Sequence, residues 1–229
     1  MSRDILIFGF GRFGKDIYNT LYNLGYTIRV RVLDSEQLNE AKELGVDVDI
    51  FDIYSDESIK KCGIERADFV ICAIDDSHKN MFLSLSIREL YKSAYIIAIS
   101  TSLNLTNKYK IIGVNRVIDM YSLSGMMIKN ILYKPHASKF LQGFLDNSHP
   151  YIFYEYKVEK DSSLIGKSVD EIEFDKYDII FVGMVDLEKG KNFIFYTLGK
   201  EHIIDIDDIL VLVGKEENIN SFIKANKDR

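Results

Sequence analysis

Over the first 120 residues the chain alternates strand-like and helix-like patterns, and that alternation limits the folds open to it. The apolar run ILIF (5–8) reads as a central parallel strand. A helix follows with Ile17, Leu21 and Leu24 on one face and Gly25 as its stop. Further strands are expected at 27–34 (TIRVRVLD), 46–52 (VDVDIFD, at the sheet edge), 69–74 (FVICAI), 94–100 (AYIIAIS) and 115–120 (NRVIDM). Between them lie helical patterns at 35–45, opening on Ser35 as a cap and closing on Gly45, and at 55–63, 78–91 and 103–113. Such a series predicts an α/β fold, a Rossmann-like, doubly wound parallel sheet with right-handed crossovers.

After Ser122 the pattern changes. Two apolar helical segments separated by Pro135 carry Met126, Met127, Ile131, Leu132, Phe140, Leu141 and Phe144. They have no evident core of their own, so they pack back on the sheet or grip another subunit. From Tyr151 short strands are expected at 151–158, 178–185, 192–198 and 208–214, with a short helix in GKSVDEIEF (166–174) and a closing helix at 217–226. This gives three segments: a nucleotide-binding domain at 1–119, crossover helices at 120–150, and a small α+β regulatory domain at 151–229.

Composition excludes several classes. The net charge is −6, and the last segment carries 11 basic against 17 acidic residues, so the chain lacks the basic surface that a nucleic-acid backbone needs. No apolar run approaches the ~18 residues of a membrane span. SRDILIFGFG has no basic region or cleavage site of a signal peptide. Cys62 and Cys72 form no CxxC pair, which predicts two free thiols in a reducing compartment. His78, His136, His149 and His202 do not sit at metal-ligand spacing. No nucleophile elbow, HExxH or Walker lysine loop is present. Arg29 and Arg31 alternate with Val30 and Val32 in an expected internal strand, so one face of it is wet or paired with acids; solvation is the default, and a ligand phosphate or subunit contact the sharper option.

The sharpest chemical signal is Gly9-Phe10-Gly11-Arg12-Phe13-Gly14, placed between a strand and a helix. Gly9 permits a tight turn, Gly11 lets a pyrophosphate approach the backbone, and Gly14 lets helix and strand pack closely. The phosphates would sit on the free N–H groups of the helix N-terminus, with Arg12 as a further contact. Asp34 ends the second strand 20 residues later, where a carboxylate accepts hydrogen bonds from ribose hydroxyls and repels a 2′-phosphate. Asp52 and Asp75 end the third and fourth strands and could line the adenosine end of the crevice. The expected lining is therefore Gly9, Phe10, Gly11, Arg12, Phe13, Gly14, Asp34, Ser35, Asp52, Ile53, Ala73, Ile74 and Asp75. A nucleotide site with no evident catalytic acid, base or hydride acceptor beside it points to sensing rather than to an enzyme. The alternative is a small NAD-dependent oxidoreductase or an NAD-linked redox regulator.

GFGRFG, Asp34, ADFVICAIDDSHKN (67–80) and GVNRVIDM (113–120) resemble the RCK domain, the regulator of K⁺ conductance, also called the TrkA N-terminal domain. SSLIGKSVDEIEF (162–174), IIFVGMV (179–185) and DIDDILVLVGKEENINSF (205–222) resemble the TrkA C-terminal domain. The resemblance implies a cytoplasmic regulatory subunit or domain, peripheral to the membrane, that gates a potassium channel or a Trk/Ktr-type transporter. It implies NAD(H) or ATP/ADP in the crevice, and homodimers through the helices after the sheet, assembled into an octameric ring. Calcium-gated relatives carry carboxylates where this chain has Ala73, Ile99 and Thr101, so their calcium site is not expected. Some C-terminal domains bind cyclic di-AMP, for which 179–184 carries no specific motif.

Overall fold

A computed structural model describes residues 3–145, 150–188, 190, 192–196 and 202–227. The chain divides into two compact units, Met1–Lys129 and Asn130–Arg229. The first runs β1 (Asp4–Phe8), α1 (Arg12–Tyr22), β2 (Thr27–Val32), α2 (Ser35–Glu43), β3 (Asp47–Ile50), α3 (Asp56–Lys61), β4 (Phe69–Cys72), α4 (Ser77–Leu90), β5 (Ile96–Ser100), α5 (Leu103–Ile112), β6 (Arg116–Asp119) and the start of α6 (Met120–Tyr133). The six strands form one parallel sheet in the order β3-β2-β1-β4-β5-β6. β1 is central because it is apolar on both faces. Ile5 and Ile7 join Val30, Val32, Phe10, Tyr18 and Ala41 in one core, whereas Leu6 and Phe8 join Val70, Cys72, Ile59, Leu83, Ile87 and Tyr109 in the other. In β3 only Val48 is buried, as the alternation of DVDI at a sheet edge requires.

The structure corrects three local expectations. Ser35 does not cap α2. Asp34 does, from an extended conformation in which its carboxylate accepts the Gln37 N–H at 2.9 Å. Arg29 and Arg31 are buried rather than solvated. The Arg29 guanidinium donates to Asp4 at 2.8 and 3.1 Å and to the carbonyls of Cys62 and Gly63. Arg31 donates to the Val30 carbonyl at 2.7 Å and faces Asp47 and Asp49 at 3.6 and 3.7 Å. The third correction is Leu24, which falls beyond the end of α1 and is exposed.

The second unit takes the end of α6, then α7 (Pro135–Leu145), β7 (Tyr151–Lys157), β8 (Ile180–Val185), β9 (Phe193–Phe195), β10 (Ile209–Lys215) and α8 (Glu216–Asn226). Its antiparallel sheet runs β7-β10-β8-β9 around a core of Tyr156, Phe174, Met184, Leu210, Leu212, Ile219 and Phe222. The helix expected in 166–174 is a pair of single 3₁₀ turns, Val169–Glu171 and Phe174–Tyr177. His149 and the end of the expected strand at 192–198 lie outside the described residues. On α6 every residue from 121 to 133 is exposed within the single chain, including Met126, Met127, Ile128, Ile131 and Leu132.

Candidate functional site

The strand order reverses between β1 and β4, because β2 and β3 lie on one side of β1 and β4 to β6 on the other. In an open parallel sheet the crevice outside the carboxyl ends of the strands at such a point is where ligands bind. Gly9 to Gly14 leave β1 there, and Ala73 to Asp75 leave β4 beside them. Gly9 has φ +99°, and a Cβ on it would stand 2.8 Å from the Ala73 carbonyl oxygen. A Cβ on Gly14 would run into the Gly9 carbonyl oxygen. Both glycines therefore allow backbone to pass backbone. Gly11 differs, since the atoms nearest to a Cβ there belong to the Asp75 carboxylate.

The loop's N–H groups point at acceptors from two other elements. The Phe10 N–H donates to Gln37 Oε1 at 2.8 Å, and the Arg12 N–H donates to Asp75 Oδ2 at 3.3 Å. The Gly9 N–H is held by the Arg31 carbonyl at 2.8 Å. The Phe10 side chain is fully buried against Tyr18, so this residue offers a ligand its backbone alone. The Arg12 side chain is exposed at the start of α1, and Phe13 is half-buried. Lys15, one turn on, is paired with Glu40 at 2.5 Å.

Asp34 is exposed, with Oδ1 on the Gln37 N–H and Oδ2 on the Gln37 side-chain amide at 3.2 Å. Ser35 is exposed beside it. A cleft of about 510 Å³ is lined by Leu33, Ile50, Phe51, Asp52, Ile53, Tyr54, Ser58 and Lys79. A second, of about 450 Å³, is lined by Arg12, Phe13, Asp75, Thr101, Met120 and Tyr121. The expected residues are thus split. Asp52 and Ile53 face the first cleft, Arg12, Phe13 and Asp75 the second, and Ala73 is buried with its carbonyl against Gly9.

Sequence reasoning passed over two residues that shape this crevice, Gln37 and Asn80. Asn80 is fully buried at the first turn of α4. Its amide donates to the carbonyls of Cys72 and Ile99, both at 3.0 Å, and its oxygen accepts the Ile74 N–H at 3.0 Å. One side chain thereby ties the ends of β4 and β5 to the loop that carries Asp75. Asp76 caps α4, and the N–H groups of Lys79 and His78 hold its carboxyl below the usual carboxylate range. Asp119 is lowered in the same way, first by the Ser122 N–H and then by the Thr106 hydroxyl. Burial pushes the Cys72 thiol up to about 12 and the Cys62 thiol up to about 11.

Residues 5–120 match the TrkA-N domain, and residues 153–226 match the TrkA-C domain. The chain belongs to the TrkA-N family. This TrkA-N and TrkA-C chain is 26% identical over 236 residues to probable potassium channel protein 2 of Methanocaldococcus jannaschii, covering 98% of itself and 68% of that protein. It is 23% identical over 227 residues to Ktr system potassium uptake protein C of Bacillus subtilis, covering 98% of itself and 97% of that protein. It shares its fold with the human SLO3 gating ring at a TM-score of 0.68 and 13% identity, over 96% of this chain and 46% of that one. Among the described residues no helix is long and apolar enough to cross a membrane, and no group of three or more His, Cys, Asp or Glu residues is placed to hold a metal ion.

Proposed function

We propose that the chain is a nucleotide-sensing regulatory domain that gates a potassium channel or a Ktr-type transporter from the cytoplasmic side of the membrane. The observation that carries this reading is the glycine loop and α1 N-terminus at the point where the strand order of a TrkA-N sheet reverses. Homology over 98% of the chain to two potassium transport proteins supports the choice of partner. The diphosphate of NAD(H), or the phosphates of ATP or ADP, would take the Phe10 and Arg12 N–H groups, with Asp34 toward a ribose. A dinucleotide would place its adenosine half toward the cleft at Asp52 and Ile53 and its other half toward Thr101 and Tyr121.

The ligand acts by shape rather than by turnover. It shifts a conformational equilibrium by its differential affinity for two states. Residues 1–119 carry the site, 120–150 join two copies through the exposed apolar face of α6, and 151–229 regulate. A thiol-based redox role is disfavoured by burial, which keeps Cys62 and Cys72 protonated at neutral pH. The test joins calorimetry with NADH, ATP and ADP to potassium flux through the partner reconstituted in vesicles. At least one nucleotide should bind in the micromolar range or tighter and change flux. Flux that is the same with every nucleotide and with none would sink the sensor reading.

A further inference from the structure

The acceptor at the start of α1 is itself an anion. Asp75 Oδ2 takes the Arg12 N–H at 3.3 Å, and its carboxylate fills the space that a Cβ on Gly11 would need. A phosphate bound at this helix N-terminus uses the same N–H and the same close approach to glycine. The two cannot hold that place together. We propose that Asp75 is a built-in competitor for the phosphate position, and that it selects among nucleotides by their phosphate charge.

The backbone around Asp75 makes the competition persistent. The Ala73 N–H is bonded to the Phe8 carbonyl and the Ile74 N–H to Asn80, while Asp76 on the other side is fixed as the α4 cap. Only the Asp75 side chain is left to move. A ligand displaces it toward the cleft of Thr101 and Tyr121, where it stays close to the phosphates and repels them. The cations nearby offset this only in part, because Arg12 is exposed to solvent and Lys15 is committed to Glu40. Gln37, the other acceptor on the loop, is neutral, so its displacement carries no such charge dependence.

This inference rests on the nucleotide reading above, and its test separates the two. Asp75→Asn and Asp75→Ala are compared with the parent by calorimetry against adenosine, AMP, ADP, ATP and NADH at low and high salt. Thermal unfolding checks that the variants fold. Affinity for adenosine should stay the same, and the gain should rise along AMP, ADP and ATP to about tenfold. The gain should shrink at high salt. Gains equal to that for adenosine, no gain, or a loss in both variants would overturn the role of Asp75 while leaving the site in place. If neither parent nor variants bind any nucleotide, the nucleotide reading falls and this inference with it.

Discussion

Asp34 has two duties that a single substitution mixes together. Its carboxylate caps α2 through the Gln37 N–H and, in the proposed nucleotide reading, accepts a ribose hydroxyl. A charge-assisted hydrogen bond is worth about 1.5–3 kcal/mol, so Asp34→Ala should weaken NADH binding roughly 10- to 100-fold and narrow the preference over NADPH. It should also cost about 1 kcal/mol of stability through the lost cap. Asp34→Ser keeps a cap and should recover that stability without recovering affinity; calorimetry and urea unfolding distinguish the two effects. If Asp34→Ala binds NADH as tightly as the parent, the carboxylate is not on the ribose. The glycines separate likewise. Gly14→Ala forces a methyl against the Gly9 carbonyl and should cost about 1–3 kcal/mol of stability. Gly11→Ala meets a movable carboxylate first, so it should fold like the parent and lose nucleotide affinity. Unfolding curves in which the two variants match would contradict this assignment.

The elements show why some of the fold was legible in the sequence and some was not. Strand and helix periods placed all six strands of the first sheet to within a few residues: β1, β4 and β5 show as apolar runs because both of their faces are covered, and β2 and β3 show by alternation. The glycine loop was legible because backbone crossing backbone leaves no room for another residue type. The acid partners of Arg29 and Arg31 agree with a face paired with acids, but their burial was not legible, because Asp4 and the carbonyls of Cys62 and Gly63 meet Arg29 only in three dimensions. Asn80 closes the segment 67–80 but shows no role there, since three of its bonds go to backbone atoms of β4, β5 and the loop after β4, and the fourth reaches the Tyr109 hydroxyl on α5. In α6 the pattern was legible as an apolar helix without a core, and the structure leaves its whole length from 121 to 133 exposed. An apolar surface of that kind favours association, and a second copy of the chain is the proposed cover. Ile131→Asp should therefore shift light scattering toward monomer while leaving nucleotide affinity within about twofold, since the residue lies outside the crevice. A parent that is already monomeric at tens of micromolar would refute the interface.

Acid should act differently at the buried Asp208 and at the helix caps Asp76 and Asp119. In the second unit Asp208 is fully buried, and burial raises its pKa despite two backbone N–H donors, from Asp205 and Leu187. A raised folded-state pKa means stability gained on protonation and lost as pH rises through that pKa. In the first unit Asp76 and Asp119 are lowered, so their contribution is present above the ordinary carboxylate range and is lost only as pH falls through their folded values. As pH is brought from 7 toward about 4, hydrogen exchange should slow around β8 and β10 before it quickens at the starts of α4 and α6. Loosening around β8 and β10 together with the starts of α4 and α6 would contradict that order. Asp119 caps α6, Met120 and Tyr121 line the cleft beside Asp75, and the same helix runs on to Tyr133, past the boundary between Lys129 and Asn130. Fourteen residues at 1.5 Å each make a rod about 20 Å long. Ser124 and Gly125 form a serine–glycine pair early in that rod, with the Ser124 hydroxyl on the Met120 carbonyl at 2.7 Å, so bending of the helix concentrates there.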